Sequence, residues 1–507
     1  MGRSFIGLSF LTFGVNMLLA LQHSSNILAT SRVCDGGQSQ SAFSRRTLNY
    51  AKLQMCAHSN NGHVVEKPFK IPGGILLKDH KFQVPLDYSA QNGEEKLEVF
   101  VREMVKEEMD GNQDLPCLVY LQGGPGFPAG RPRGAGGWFA RALSGYRVFL
   151  LDQRGTGKSS PLTAHSLAGK SPEEQALLLK CYRADSIVKD CESIRTELTG
   201  GKKWTVLAQS FGGFCLLTYL SFFPEAVEMG LFTGGLAPVT RHIDEVYRSL
   251  AKRQAKRNKL FYERYPQAVG MVRRIVKYLE EHEVKLPGGG QLTPRRFLQL
   301  GLGLGSGSGL EDLYYLIEGA FASDDPDAEM LYSFLRSVEN SQNFDTNPIY
   351  AILHEPIYCE NYAPKWSAER VLKEPELAEF YDYKQRLLHD DQPIYFTGEM
   401  VFSWMFDGDY PMLAGLKEAS ELLANDNTWS PLYSIESLKK CGVPCAAAVY
   451  YDDLYVERTF SEEVAEMMPN CKTWITNEYQ HSGLRDGGHK IVDTLIGMAK
   501  GDVQIPS

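Results

Sequence analysis

From about residue 70 the apolar side chains follow two alternating spacings, and each change of spacing marks an element. "HKFQVPLDY" (80–88) and "KLEVFVREMV" (96–105) have the extended pattern of an antiparallel pair at a sheet edge. "CLVYLQGGPGF" (117–127) and "YRVFLLDQRGTGKS" (146–159) are continuous apolar runs ending in glycine-rich turns, the pattern of strands buried on both faces. A helical spacing covers residues 172–199, followed by a buried strand from Trp204 to Leu207, a helix from Phe214 to Phe223 and another strand in "EMGLFTGGLAP" (228–238). Strands alternating with helices predict an α/β fold, a mostly parallel sheet with helices on both faces.

After Pro238 this rhythm stops. Residues 239 to about 430 are mostly helical and aromatic, beginning with Ile243, Val246, Tyr247 and Leu250 at i, i+3, i+4 and i+7. "VPCAAAVYYDD" (443–453) and "KTWITNEY" (472–479) restore the strand pattern, and residues 486–500 close with a helix. The economical account is a leader over 1–62, a core whose first part is 63–237, a helical cap insertion over 238–430, and the rest of the core over 431–507. Such a cap can cover the carboxyl ends of the strands, where open α/β sheets bind ligands.

The stretch "TVLAQSFGGFCLL" (205–217) places Ser210 on a strand-to-helix turn between an apolar run and two glycines. A serine there matches a nucleophile elbow, with Ala208 at the first small position and Gly212 at the second. Small-x-Ser-x-Gly strings also arise as ordinary helix caps, so the wider pattern has to decide.

Composition narrows the class. The 507 residues are 43% hydrophobic and carry a net charge of −9, which speaks for a folded globular protein and against nucleic-acid binding. Ten cysteines are sparse for this length; several lie in apolar strand or helix patterns, and Cys441 and Cys445 have no second pair or histidine cluster beside them. That favours a reducing compartment and argues against structural zinc. Before Glu66 only Asp35 is acidic, while Arg3, Arg32, Arg45, Arg46 and Lys52 are scattered through serine-rich sequence. This is the composition of a chloroplast or other organellar transit peptide, although the apolar run Phe5 to Leu21 also fits a secretory segment, and Met17 offers a second start that would shorten it. Cytoplasmic and secreted locations stay open as alternatives.

"GGPG" after one strand, "DQRGTGKS" after the next and "QSFGG" at the elbow, in that order and spacing, resemble the proline iminopeptidase family of α/β-hydrolase serine peptidases. "GEMVFSWMF", "YYDDLYV" and "NEYQHSGLR" resemble its longer members, so the likeness covers about residues 75–495. The sequence departs from the family at Gln122, where many members have histidine, and at Ala208. The resemblance implies the α/β-hydrolase fold and a triad in the chain order nucleophile, acid, histidine. Ser210 is the expected nucleophile and His481 the base, with His489, in the opening turns of the final helix, as its rival. Asp452 and Asp453 are adjacent candidates for the acid. Their side chains point opposite ways on a strand end, so one alone can reach the imidazole, and the family alignment favours Asp453. The N–H of Phe211 and the glycine turn at Gly124 are the expected oxyanion donors.

An aminopeptidase must also recognise a free ammonium group, which calls for carboxylates in the cleft. Glu355 and Glu399, both set in apolar and aromatic sequence, resemble the acidic cap residues of the family, and Trp404, with Tyr358 and Phe402, is a candidate wall for a proline ring. The expected activity is removal of an N-terminal residue, preferably proline, from short peptides, with no metal or organic cofactor, no nucleic acid and no stable membrane partner. An esterase or amidase of the same fold, or a receptor retaining the pocket, are the alternatives. Other signals are set aside: "GTGKS" has Asp152 where a phosphate loop needs glycine, "HEPIY" lacks a second metal-binding histidine, and "GLGLGSGSG" (301–309) is expected to be a flexible cap loop.

Overall fold

The computed structural model describes residues 56–58, 62–90 and 95–503. The leader expected over 1–62 lies almost wholly outside them. An eleven-stranded sheet runs through the molecule. Its strands are β1 (Cys56–His58), β2 (Val64–Val65), β3 (Phe69–Ile71), β4 (Ile75–Pro85), β5 (Lys96–Lys106), β6 (Cys117–Leu121), β7 (Arg147–Leu151), β8 (Trp204–Gln209), β9 (Val227–Thr233), β10 (Cys445–Tyr450) and β11 (Cys471–Thr476). The spatial order is β1-β2-β4-β5-β7-β6-β8-β9-β10-β11, with β3 also paired to β4. β5 is antiparallel to both neighbours, while the strands from β7 to β11 are parallel, each reached through a helical crossover. The β4/β5 pair predicted at the edge lies two strands inside it, because β2, with β1 beyond it, and β3 cover the outer side of β4.

Successive residues of each central strand feed opposite faces, as the pleat requires. Leu118, Leu150, Leu207, Leu231 and Ala448 pack with Ile491 and Leu495 of the helix Gly488–Lys500. Their neighbours Val119, Phe149, Val206, Phe232 and Val449 pack with the helices Ala184–Thr199 and Phe211–Phe222 on the other side. Apolar demand from both faces is why these strands read as unbroken apolar runs.

The single helix expected over 172–199 is two, Pro172–Lys180 and Ala184–Thr199. The break places the Cys181 carbonyl against the Arg154 guanidinium at 2.7 Å and draws Arg183 inward to the carbonyls of Pro356 and Cys359 at 3.0 and 2.6 Å. Arg154 itself is fully buried, forked onto Asp190 at 2.7 and 2.6 Å, and also donates to the carbonyls of Pro85 and Leu86. It is a strut beneath the turn after β7.

The chain between β9 and β10 is helical and builds part of its own core from Phe261, Val272, Ile275, Phe297, Phe334 and Phe396. Its remainder, including Tyr350, Phe406 and Trp429, packs into the cluster that holds the elbow helix, and residues 54–507 form one compact unit. The segment 301–309 is not the flexible loop its glycines suggested. It forms the 3₁₀ helix Gln299–Gly305 and the start of the helix Gly309–Glu318, and its glycines let Tyr455 approach: a Cβ on Gly305 would lie 2.2 Å from that ring. Among the described residues no helix is long and apolar enough to cross a membrane, and no group of three or more His, Cys, Asp or Glu could hold a metal ion.

Candidate active site

β8 ends at Gln209 and the helix Phe211–Phe222 begins one residue later, leaving Ser210 alone in the turn at φ 54° and ψ −124°. A non-glycine residue is strained in that region, and the strain lifts the hydroxyl clear of the sheet. Close packing makes the turn this sharp: a Cβ on Gly212 would lie 2.1 Å from the Leu121 carbonyl oxygen, and one on Gly123 2.8 Å from the Ser210 Cβ. Ala208 causes no conflict, since it lies inside β8 between Leu121 and Phe232 of the flanking strands.

Asp453 follows β10 and is fully buried, whereas Asp452 is exposed. The Asp453 carboxylate accepts the N–H groups of Tyr455 and Val456 at 2.8 and 3.0 Å, which fix its rotation. It meets Nδ1 of His481 at 2.8 and 3.0 Å. Nδ1 is thereby committed to the carboxylate, and Nε2 is the nitrogen left for a reacting group. His489 lies exposed on the final helix. Burial disfavours the charged form of His481, but the charges of Asp453 and Glu399 outweigh it and raise the pKa above its ordinary value.

Ser210 and His481 line one cavity of about 260 Å³ together with Gly123, Gly124 and Glu399. Gly124 lines this cavity, and Phe211, directly after Ser210, is the first residue of its helix, where the N–H has no intrahelical acceptor. The Glu399 carboxylate accepts from the Tyr350 hydroxyl at 2.8 Å and lies 3.6 Å from Nε2 of His354. Burial pushes its pKa up, yet His354, His481 and the Tyr350 hydrogen bond prevail and hold it below the ordinary carboxylate value. The chamber therefore pairs a serine and an imidazole with a carboxylate that stays ionised.

Two expected substrate contacts are placed elsewhere. Glu355 is buried, and its oxygens accept the N–H groups of Ser367 and Ala368 at 3.0 and 2.9 Å, the first turn of the helix Ser367–Leu372. It is a helix-capping carboxylate; its apolar surroundings reflect a structural post, and burial pushes its pKa up to about 7. Trp404 stacks on Phe402 at 5.4 Å with the Arg295 guanidinium 4.6 Å from its ring, and does not line the cavity. The aromatic walls come instead from Phe127, Phe344, Tyr350 and Tyr455. Only Tyr455 had a visible signal, two residues beyond Asp453 in a motif already singled out.

Gln209, the polar residue beside the serine, has a structural task. Its amide donates to the backbone carbonyl of His481 at 3.2 Å and its oxygen accepts from the Thr233 hydroxyl at 2.6 Å. The elbow strand thus holds the loop that carries the imidazole.

Fold and site together define an α/β hydrolase with a serine, histidine and aspartate set at the carboxyl ends of its strands. A family model described as the alpha/beta hydrolase fold matches residues 116–284. A proline iminopeptidase from Aeromonas sobria is 46% identical over 425 residues, covering 83% of this chain and 96% of the relative. One from Aspergillus aculeatus is 36% identical over 439 residues, covering 84% and 94%. A proline iminopeptidase from Neisseria gonorrhoeae matches at 32% over 129 residues, 25% of this chain and 35% of its own. The chain belongs to the proline iminopeptidase family, and its full-length matches are to the longer members.

Proposed function

We propose that the protein is a serine aminopeptidase that releases N-terminal residues, preferably proline, from short peptides. The observation that carries this reading is the shared chamber, in which a strained serine, a carboxylate-held imidazole and the ionised Glu399 face one another. Glu399 pairs with the substrate ammonium and sets the first carbonyl over Ser210. Oγ attacks that carbon while Nε2 of His481 takes its proton, and Asp453 holds the tautomer and stabilises the imidazolium. The N–H groups of Phe211 and the Gly124 turn receive the oxyanion. The imidazolium then protonates the departing amine, the C–N bond breaks, and the acyl-enzyme is hydrolysed by water activated on the same imidazole. The family's full-length relatives named above as proline iminopeptidases support the substrate class. Cap residues such as Phe344 and Tyr350 wall the chamber, which favours small peptides.

A fluorophosphonate probe tests the nucleophile directly. One adduct is expected, on the peptide containing Ser210, and none in Ser210→Ala. An adduct elsewhere, with Ser210→Ala still turning over substrate, would overturn the assignment.

The basic, serine-rich composition of the first sixty residues supports delivery to a chloroplast or another organelle. Residues 1–62 fused to a fluorescent protein are expected to direct it there, and diffuse fluorescence would contradict this.

A further inference from the structure

We propose that the residue following the scissile bond binds in a second cavity, beyond His481, built for an aromatic or large apolar side chain. This rests on the aminopeptidase reading and deepens it. The cavity measures about 610 Å³ and shares Gln122, Gln209, Tyr455 and His481 with the chamber of Ser210 and Glu399, although neither Ser210 nor Glu399 lines it. His481 therefore stands at the junction of two spaces.

The chemistry decides which part of a peptide enters which space. The acyl residue is tied at both ends, its ammonium at Glu399 and its carbonyl at Ser210, so it occupies the first chamber. The departing nitrogen must receive its proton from the imidazole, so it leaves on the His481 side of the nucleophile. Whatever that nitrogen carries continues past His481 into the second cavity.

The walls there suit a ring. Tyr120 and Trp138 lie 4.9 Å apart between centroids, and Trp138 and Phe139 4.2 Å, forming one aromatic wall, and Leu484 adds apolar surface to the lining. The Tyr120 hydroxyl donates to the Gln122 side chain at 2.9 Å, which ties this wall to the residue at the junction. Arg131 also lines the cavity, but its guanidinium is forked onto the buried Asp152; Arg485 is exposed and donates to Asp486 at 3.2 Å. Space remains at Gly130 and Gly136, where an added Cβ would meet no atom within 4 Å and neither backbone is in the left-handed region.

The test compares the kcat/KM of prolyl-phenylalanine amide, prolyl-glycine amide and prolinamide. With terminal carboxylates removed, the two dipeptide amides differ only in the second side chain. The wild type is expected to favour phenylalanine over glycine by about tenfold or more, since burying a ring is worth at least that factor. Gly136→Phe, at an exposed lining position where an added Cβ meets no atom within 4 Å, is expected to bring that ratio to about one or below. Equal rates for both dipeptide amides in the wild type would overturn the proposal. So would an unaltered ratio in Gly136→Phe with all substrates slowed alike, which would make the cavity an entrance. Failure to cleave prolinamide as well would instead strike at the aminopeptidase reading itself.

Discussion

The side-chain amide of Gln209 and the backbone carbonyl of His481 lie 3.2 Å apart, so the residue before the elbow serine anchors the loop bearing the imidazole. Gln209→Leu removes this bond and leaves the Thr233 hydroxyl without its 2.6 Å acceptor. A lost hydrogen bond of this kind costs about 0.5–1.5 kcal/mol, and here it falls on the alignment of His481 with Ser210. The expected outcome in steady-state kinetics is a kcat lowered roughly tenfold with KM little changed. An unchanged kcat would show that other contacts suffice to hold the loop.

The adjacent aspartates should separate sharply. Asp453→Asn keeps the shape but removes the charge facing Nδ1 of His481, and a loss of roughly 10³ to 10⁴ in kcat is expected. Asp452→Asn, at an exposed position, is expected to stay within about twofold of the wild type. The reverse order in a turnover assay would reassign the acid.

The pH profile follows from the charges around His481. The imidazole must be neutral to accept the serine proton, and its pKa is raised because Asp453 and Glu399 outweigh burial. The acid limb of kcat/KM is therefore expected with its midpoint above the ordinary histidine value of about 6.5. Glu399→Gln removes one of the two raising charges, so the limb moves to lower pH. The same variant loses the partner of the substrate ammonium, and kcat/KM is expected to fall by roughly 30-fold or more. A profile that stays in place would mean that Glu399 does not reach the imidazole electrostatically.

Glu355 predicts a pH dependence of stability rather than of rate. Its pKa in the fold is about 7 against an ordinary 4.5, because burial disfavours the charge. A raised carboxyl pKa contributes stability that is full below the unfolded value and is lost as pH rises through the folded one. Wild type minus Glu355→Gln stability should thus decline between about pH 4.5 and pH 7, by up to about 3 kcal/mol. Denaturant titrations at several pH values read it, and a constant difference would contradict a buried titrating carboxyl.

Much of this architecture was legible in the sequence because apolar runs such as Leu118 to Leu121 and Val206 to Ala208 are buried on both faces, and that pattern has few solutions. That Ser210 and His481 share one cavity was legible for a related reason: each lies just beyond a strand end, where the chain must turn at the ligand-binding edge. Asp453 was separable from Asp452 only by family likeness, since a one-residue choice at a strand end depends on the turn that follows. Glu355 and Trp404 misled because apolar sequence around a charge or an aromatic residue marks burial, not which buried surface it meets. Glu355 meets a helix end twelve residues further on, and Trp404 meets its near neighbour Phe402 and the distant Arg295, contacts set by how the cap folds back on itself.

In the proposed reaction the pairing of Glu399 with the substrate ammonium is what makes this serine hydrolase an aminopeptidase. It is tested most directly by the kcat/KM ratio between the 4-nitroanilides of proline and N-acetylproline, with Ser210→Ala as control. Hydrolysis of the free-amine substrate is expected to be at least about 100-fold better, and abolished in Ser210→Ala, because acetylation deletes the charge that Glu399 pairs with. Comparable hydrolysis of both substrates would contradict it and leave a general serine hydrolase with no requirement for a free amino terminus.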